Sequence, residues 1–247
     1  MQFTSEFPEY LKFDQQIASE ANIALFNASL SGNVKEVAKL LKTGEANPNY
    51  FYNPADSKNS LMVASEIGSL EIVNLLLTAG AVPNALNLGT RYSSLQYAVV
   101  RDHDQVARLL LKNGAYIDHQ NAYGNTALHI AASEGSIKCL DLLMKTNANV
   151  TLVNNKKSTA LHFACYKENV PKNPLSIVKS LIEKGADRDA KDHKGMTPLL
   201  VCCVSGRDDI IAYLLEQGCD NKVVDMDGRS MKTILEFNGH IALSNRF

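Results

Sequence analysis

One pattern recurs along this chain at a nearly fixed distance. TALHIAA at 126–132 returns as TALHFAC at 159–165, and TPLLVCC at 197–203 continues the series. Weaker copies stand earlier: IALFNAS at 23–29, NSLMVAS at 59–65 and SSLQYAV at 93–99. The shared leucine is Leu25, Leu61, Leu95, Leu128, Leu161 and Leu199, at separations of 36, 34, 33, 33 and 38 residues. A period of this length restricts the chain to stacked supersecondary units, none of which can bury its apolar face without a neighbour.

Each copy is followed by a second apolar segment with helical spacing. Ile72, Val73, Leu75, Leu76 and Leu77 show it, as do the segments VARLLLKNG, IVKSLIEKG and IIAYLLEQG. Thr126, Thr159 and Thr197 stand where a side-chain oxygen can cap a first helix, and Pro198 falls at the first helical position, where a missing N–H costs nothing. Ala131, Ala132 and Ala164 are small where neighbouring helices must approach. Gly80, Gly114, Gly185 and Gly218 stand where second helices must end, a position that favours left-handed backbone. The unit is therefore helix, turn, helix, turn and polar arm.

These residues resemble the ankyrin repeat, whose pattern is a helix opening on Thr-Pro-Leu-His, a second helix, a Gly-Ala turn and a projecting hairpin. The resemblance covers roughly residues 21–241, in six copies. It implies an all-α solenoid of stacked helix-turn-helix units with hairpin arms, slightly curved, whose arm tips and first helices form a concave side. The repeats are placed at about 21–56, 57–90, 91–123, 124–156, 157–194 and 195–229, after an N-terminal extension at 1–20 and before a partial repeat or cap at 230–247. The resemblance also implies protein recognition, and a structural role for His129 and His162, bonding between adjacent units.

Departures from the pattern mark three places. The sequence ENVPKNP at 168–174 lengthens the fifth repeat between its helices; its two prolines predict a loop. The first arm, 46–58, carries Tyr50, Phe51 and Tyr52 between prolines. Those rings either seal the end of the stack or form an aromatic contact patch. At the ends, residues from about Glu9 are expected to form a short helix whose Phe7, Leu11 and Phe13 region covers the first repeat. Lys232 replaces the repeat leucine and marks a C-terminal cap.

Nothing in the composition points to chemistry. With 25 Lys plus Arg against 26 Asp plus Glu there is no field drawing the chain to nucleic acid, and no run of 18 apolar residues reads as a membrane span. Five cysteines include no CxxC pair and read as buried thiols in a reducing compartment. His103, His119, His193 and His240 are isolated, with no zinc-ligand spacing. No nucleophile elbow or phosphate-binding glycine loop occurs. The nearest approach to a polar cluster is Tyr123 and Tyr166 beside Lys156 and Lys167, which lacks a base. The expectation is a non-catalytic cytoplasmic protein with no cofactor, no metal and no small-molecule substrate; the nucleus or a host cell remain alternatives.

Recognition is then expected at positions the repeat does not demand. The resemblance carries these onto arm tips and first-helix ends: Ile67, Tyr92, Val100 and Tyr123 form an apolar and aromatic part, with Asn125 beside it. Lys156, Lys167 and Lys194 give the later arms positive charge, and Tyr166 stands next to them. Such a surface suits another protein, and its basic part favours an acidic one. An adaptor, regulatory subunit or assembly factor fits this reading. A fixed component of a cytoskeletal or other large complex, or a secreted effector binding a host protein, are the alternatives.

Overall fold

In a computed structural model of the chain, residues 19–52, 58–166 and 174–246 are described. The first helices of the repeats begin on side-chain caps. Asn59 Oδ1 accepts the amide of Met62 at 3.0 Å, Ser93 Oγ that of Gln96 at 3.3 Å, and Thr126 Oγ1 and Thr197 Oγ1 those of His129 and Leu200 at 3.4 Å. Each cap satisfies an amide that the helix leaves unpaired. Pro198 opens its helix at the first turn, as its position predicts.

Among the described residues there are seven first helices: α1 (Glu20–Leu30), α3 (Ser60–Ile67), α5 (Ser94–Val100), α7 (Ala127–Glu134), α9 (Ala160–Cys165), α11 (Pro198–Ser205) and α13 (Met231–Phe237). Between them run the second helices α2 (Val34–Thr43), α4 (Leu70–Thr78), α6 (Asp104–Lys112), α8 (Ile137–Lys145), α10 (Pro174–Glu183) and α12 (Asp208–Glu216), with a short α14 (Ile241–Ser244) at the end. First helices stack in series from α1 to α13, and α2, α4, α6 and α8 form a parallel row behind them. The described residues hold no strand; the arms carry isolated bridge pairs such as Leu86 with Ser93 and Val224 with Ser230.

One hydrophobic core runs the length of this stack. The six repeat leucines are at most 2% exposed, and Ala131, Ala132 and Ala164 are fully buried between helices. Burying each leucine contributes about 1.5–3 kcal/mol, available only because a neighbouring repeat covers it. Lys232 occupies the same place in α13 and is exposed, while Met231, Ile234 and Leu235 carry the packing there. The expected helix near Glu9 and all of the 168–174 insertion but Pro174 lie outside the described residues; Pro174, expected in the loop, instead opens α10, since proline suits the first position of a helix.

The aromatic run of the first arm is largely used in packing. Tyr52 stacks on buried Phe26 with ring centroids 4.5 Å apart, and Phe51 packs against Met62, Ala85 and Tyr97. Tyr50 is half-buried, and Tyr52 keeps one exposed edge.

Candidate partner-binding surface

From the second arm onward, the arms stand up because one side chain folds each of them. Asn121 Oδ1 accepts the amides of Tyr123 and Asn125 at 2.9 and 3.0 Å; Asn154 does the same for Lys156 and Ser158, both at 2.9 Å. Asp192 holds Lys194 and Met196, and Asp225 holds Asp227 and Arg229. Asn87 plays this part in the second arm, for Gly89 and Thr90. Sequence reasoning missed this set. Its signal was available: an Asn or Asp five residues before each Thr or Ser cap from Asn121 onward, and six before Ser93.

From the second onward, each arm is also tied to the next through backbone. The amide of Ala122 donates to Thr90, that of Asn155 to Tyr123, that of His193 to Lys156 and that of Met226 to Lys194, all at 2.9–3.1 Å. The arm tips therefore form one hydrogen-bonded row, and their side chains are presented at fixed spacing.

Beneath the arms, histidines staple repeat to repeat. His129 Nδ1 accepts the amide of Thr126 at 3.2 Å, which leaves the proton on Nε2 to donate to the Ser158 carbonyl at 3.1 Å. His162 repeats the arrangement with Thr159 and Met196. In the preceding unit Gln96 does the same work, its amide nitrogen donating to the carbonyls of His119 and Asn125. Burial lowers the His129 pKa to about 4 and that of His162 below the usual value, so both rings are neutral near pH 7. His103, His193 and His240 also each place a ring nitrogen against a carbonyl of the preceding repeat, and His119 places one against the carbonyl of Arg91 on the preceding arm. All six histidines are thus committed to the stack, and the described residues contain no group of three or more His, Cys, Asp or Glu able to hold a metal.

The cysteines are equally committed. All five are free and buried, and burial pushes the thiols of Cys203 and Cys219 up to about 12 and those of Cys139 and Cys202 upward too. A thiol held protonated in apolar surroundings is a poor nucleophile.

Against this frame the expected contact residues divide. Tyr123 is 57% exposed; its carbonyl serves the arm ladder while its ring is free of the core. Tyr166, at the end of α9, is 48% exposed, and Ile67, at the end of α3, is exposed too. Lys156 and Lys194 are exposed on adjacent arms. Tyr92 and Val100 are half-buried against the core, Tyr92 also packing on Tyr97 with centroids 5.4 Å apart. Burial raises the Tyr92 phenol pKa, helped by the nearby Glu134 carboxylate and Tyr123. Asn125 is differently placed: its side-chain oxygen accepts from Asn154 at 3.0 Å and its carbonyl from Gln96, so it joins arms. Lys167 lies outside the described residues.

The stack adds an apolar row that the repeat leucines index. Five residues beyond the leucine position stand Leu30, Val100, Tyr166 and Val204, and five beyond Lys232 stands Phe237, 81% exposed. The same position is Glu66 in the second repeat, held by Lys58 at 2.9 Å, and Ser133 in the fourth.

Comparison with known proteins agrees with this architecture. The family model for ankyrin repeats (3 copies) matches residues 61–154 and 147–225. The chain is 34% identical over 161 residues to the chicken nuclear factor NF-kappa-B p105 subunit, covering 64% of this chain and 16% of that protein. It is 34% identical over 133 residues to the fowlpox virus putative ankyrin repeat protein FPV222, covering 53% and 17%. To the mask-1 protein of Caenorhabditis elegans, an ankyrin repeat and KH domain-containing protein, it is 29% identical over 201 residues, covering 81% and 6%. The matched region thus spans less than a fifth of each of these relatives. Among solved structures, the ankyrin repeat domain of Bcl-3 superposes with a TM-score of 0.72 at 23% identity, covering 85% of this chain and 92% of that one.

Proposed function

This chain belongs to the ankyrin-repeat family, whose members generally mediate protein–protein interaction, and from that premise we propose that it holds a partner protein on its arm-tip face without transforming it. The observation that supports this most is the division of labour among its polar and aromatic groups. Histidines, arm asparagines and aspartates are spent on the stack, whereas Tyr123 and Tyr166 are left exposed on elements fixed by that stack. Rigid aromatic side chains offer large contact area at small entropic cost, and such residues dominate interface hot spots.

The role that fits is an adaptor, regulatory subunit or assembly factor in a reducing compartment such as the cytoplasm. Five buried, unpaired thiols support that compartment, since oxidising ones favour disulfides. The test is affinity purification from native cells with the wild-type chain and Tyr123→Ala side by side. One stoichiometric partner, recovered about tenfold less well by the variant, is the expected result. Equal recovery by both would reject the assignment of this face.

A further inference from the structure

Four lysines of the arm-tip face are gathered on two adjacent arms. Lys156 and Lys157 stand on one and Lys191 and Lys194 on the next, and the Lys156 carbonyl receives the His193 amide at 2.9 Å, so the two tips are locked side by side. None of these four lysines has a carboxylate within ion-pair distance among the described residues. The acids beside them are engaged elsewhere. Asp192 accepts two arm amides, and Asp227 on the following arm is paired with Arg229 at 2.9 Å. Arg229 in turn is neutralised by Asp225 at 2.7 Å as well. The unpaired cationic charge is therefore most concentrated on the fourth and fifth arms counted from the N-terminus, the arms that precede α9 and α11, with Arg91 a single further cation on the second arm.

Those two helices end on apolar side chains, Tyr166 and Val204, and the row continues to Phe237. About seven residues of helix separate an arm from the end of its first helix, roughly 10 Å at 1.5 Å per residue. A basic edge thus runs beside an apolar floor at about the width of one α-helix. On the N-terminal side this arrangement stops, because Glu134 places an exposed carboxylate at the end of α7.

Resting on the partner-holding role proposed above, we infer that the C-terminal half of this face receives an acidic amphipathic helix of a partner protein. Its carboxylates lie over Lys156 and Lys194, and its apolar side chains lie on Tyr166, Val204 and Phe237. Charge complementarity selects the acidic face, and the apolar floor favours protein over nucleic acid, which would leave Val204 and Phe237 uncovered.

A fluorescein-labelled peptide of about 18 residues, five helical turns of Glu and Leu at helical spacing, is a direct probe. Anisotropy should show it binding the wild-type chain, with affinity falling as salt is raised. K156E/K194E should weaken it by about tenfold or more, and the neutral K156A/K194A by less. Urea midpoints of both variants, expected to match wild type, separate lost binding from lost folding. Equal binding of a Lys/Leu peptide, binding of a single-stranded oligonucleotide in place of the Glu/Leu peptide, or indifference to both double variants would overturn the inference. A native partner weakened by Tyr123→Ala yet unaffected by K156E/K194E would remove this inference alone. A native partner indifferent to both changes would remove the partner-holding face as well.

Discussion

His129 has to be neutral to do its work, because its Nδ1 accepts from Thr126 while its Nε2 donates to Ser158. Burial lowers its folded pKa to about 4, against about 6.5 in an unfolded chain. Between those values the unfolded state binds the extra proton, so stability is intact above about pH 6.5 and declines as pH falls toward 4. The loss attributable to this one ring is of the order of 1–3 kcal/mol, and it adds to the loss from His162, which shifts in the same direction. Urea midpoints at pH 7 and pH 5 should show it. His129→Gln should flatten the pH response and keep more stability than His129→Ala, since Gln96 already makes the equivalent bonds in the preceding unit. An unchanged pH response in His129→Gln would mean that another group titrates. The exposed aromatics behave oppositely. Tyr123→Ala should cost about 1–3 kcal/mol of partner binding and less than about 0.5 kcal/mol of fold stability, because the arm ladder runs through its carbonyl and not its ring. A lowered unfolding midpoint with unchanged affinity would make Tyr123 structural. The histidine role was legible in the sequence, from the TALH motif. That Asn125 is committed between arms was not, because its partner Asn154 stands on the next arm, 29 residues on.

The repeating element is folded by side chains whose identity is interchangeable within narrow limits. Asn154→Ala removes an acceptor from two arm amides and should lower stability by about 1–3 kcal/mol; Asp192→Asn should change little, because Asn87, Asn121 and Asn154 already perform that role. Equal effects of the two substitutions in urea unfolding would count against the arm mechanism. Turns separate in the same way. Gly68 has φ +80°, and an added Cβ would lie 2.5 Å from the His103 ring; Gly80 has φ +88° with open space around it. Gly80→Ala should cost only the left-handed backbone, about 1–2 kcal/mol, and Gly68→Ala roughly 2–5 kcal/mol, through the added clash with a ring bonded to Glu66. Helix starts and stops could be read from Thr, Pro and Gly because each acts on its nearest turn. The folding of the arms was missed because an Asn or Asp in a polar stretch looks like solvated loop until its bonds two and four residues ahead are seen.

Over the whole molecule, the period of Leu25 to Leu199 made the stack legible before any single element was, since a buried leucine per unit requires a neighbour on each side. The binding face was only partly legible. Tyr123 and Tyr166 could be placed from the repeat, but Phe237 sits in a copy whose leucine is Lys232, and the packing of α13 on α11 is what carries the row on to it. The central claim is that a partner is held on the face carrying Tyr123 and Tyr166, not on the second helices. Site-specific photocrosslinking in native cells tests it most directly, with a benzophenone side chain placed at Tyr123 or Tyr166 and, as control, at exposed Asn74 on α4. The account predicts one and the same protein crosslinked from both tyrosine positions and not from Asn74. Equal crosslinking from Asn74, or none from either tyrosine position, would contradict it.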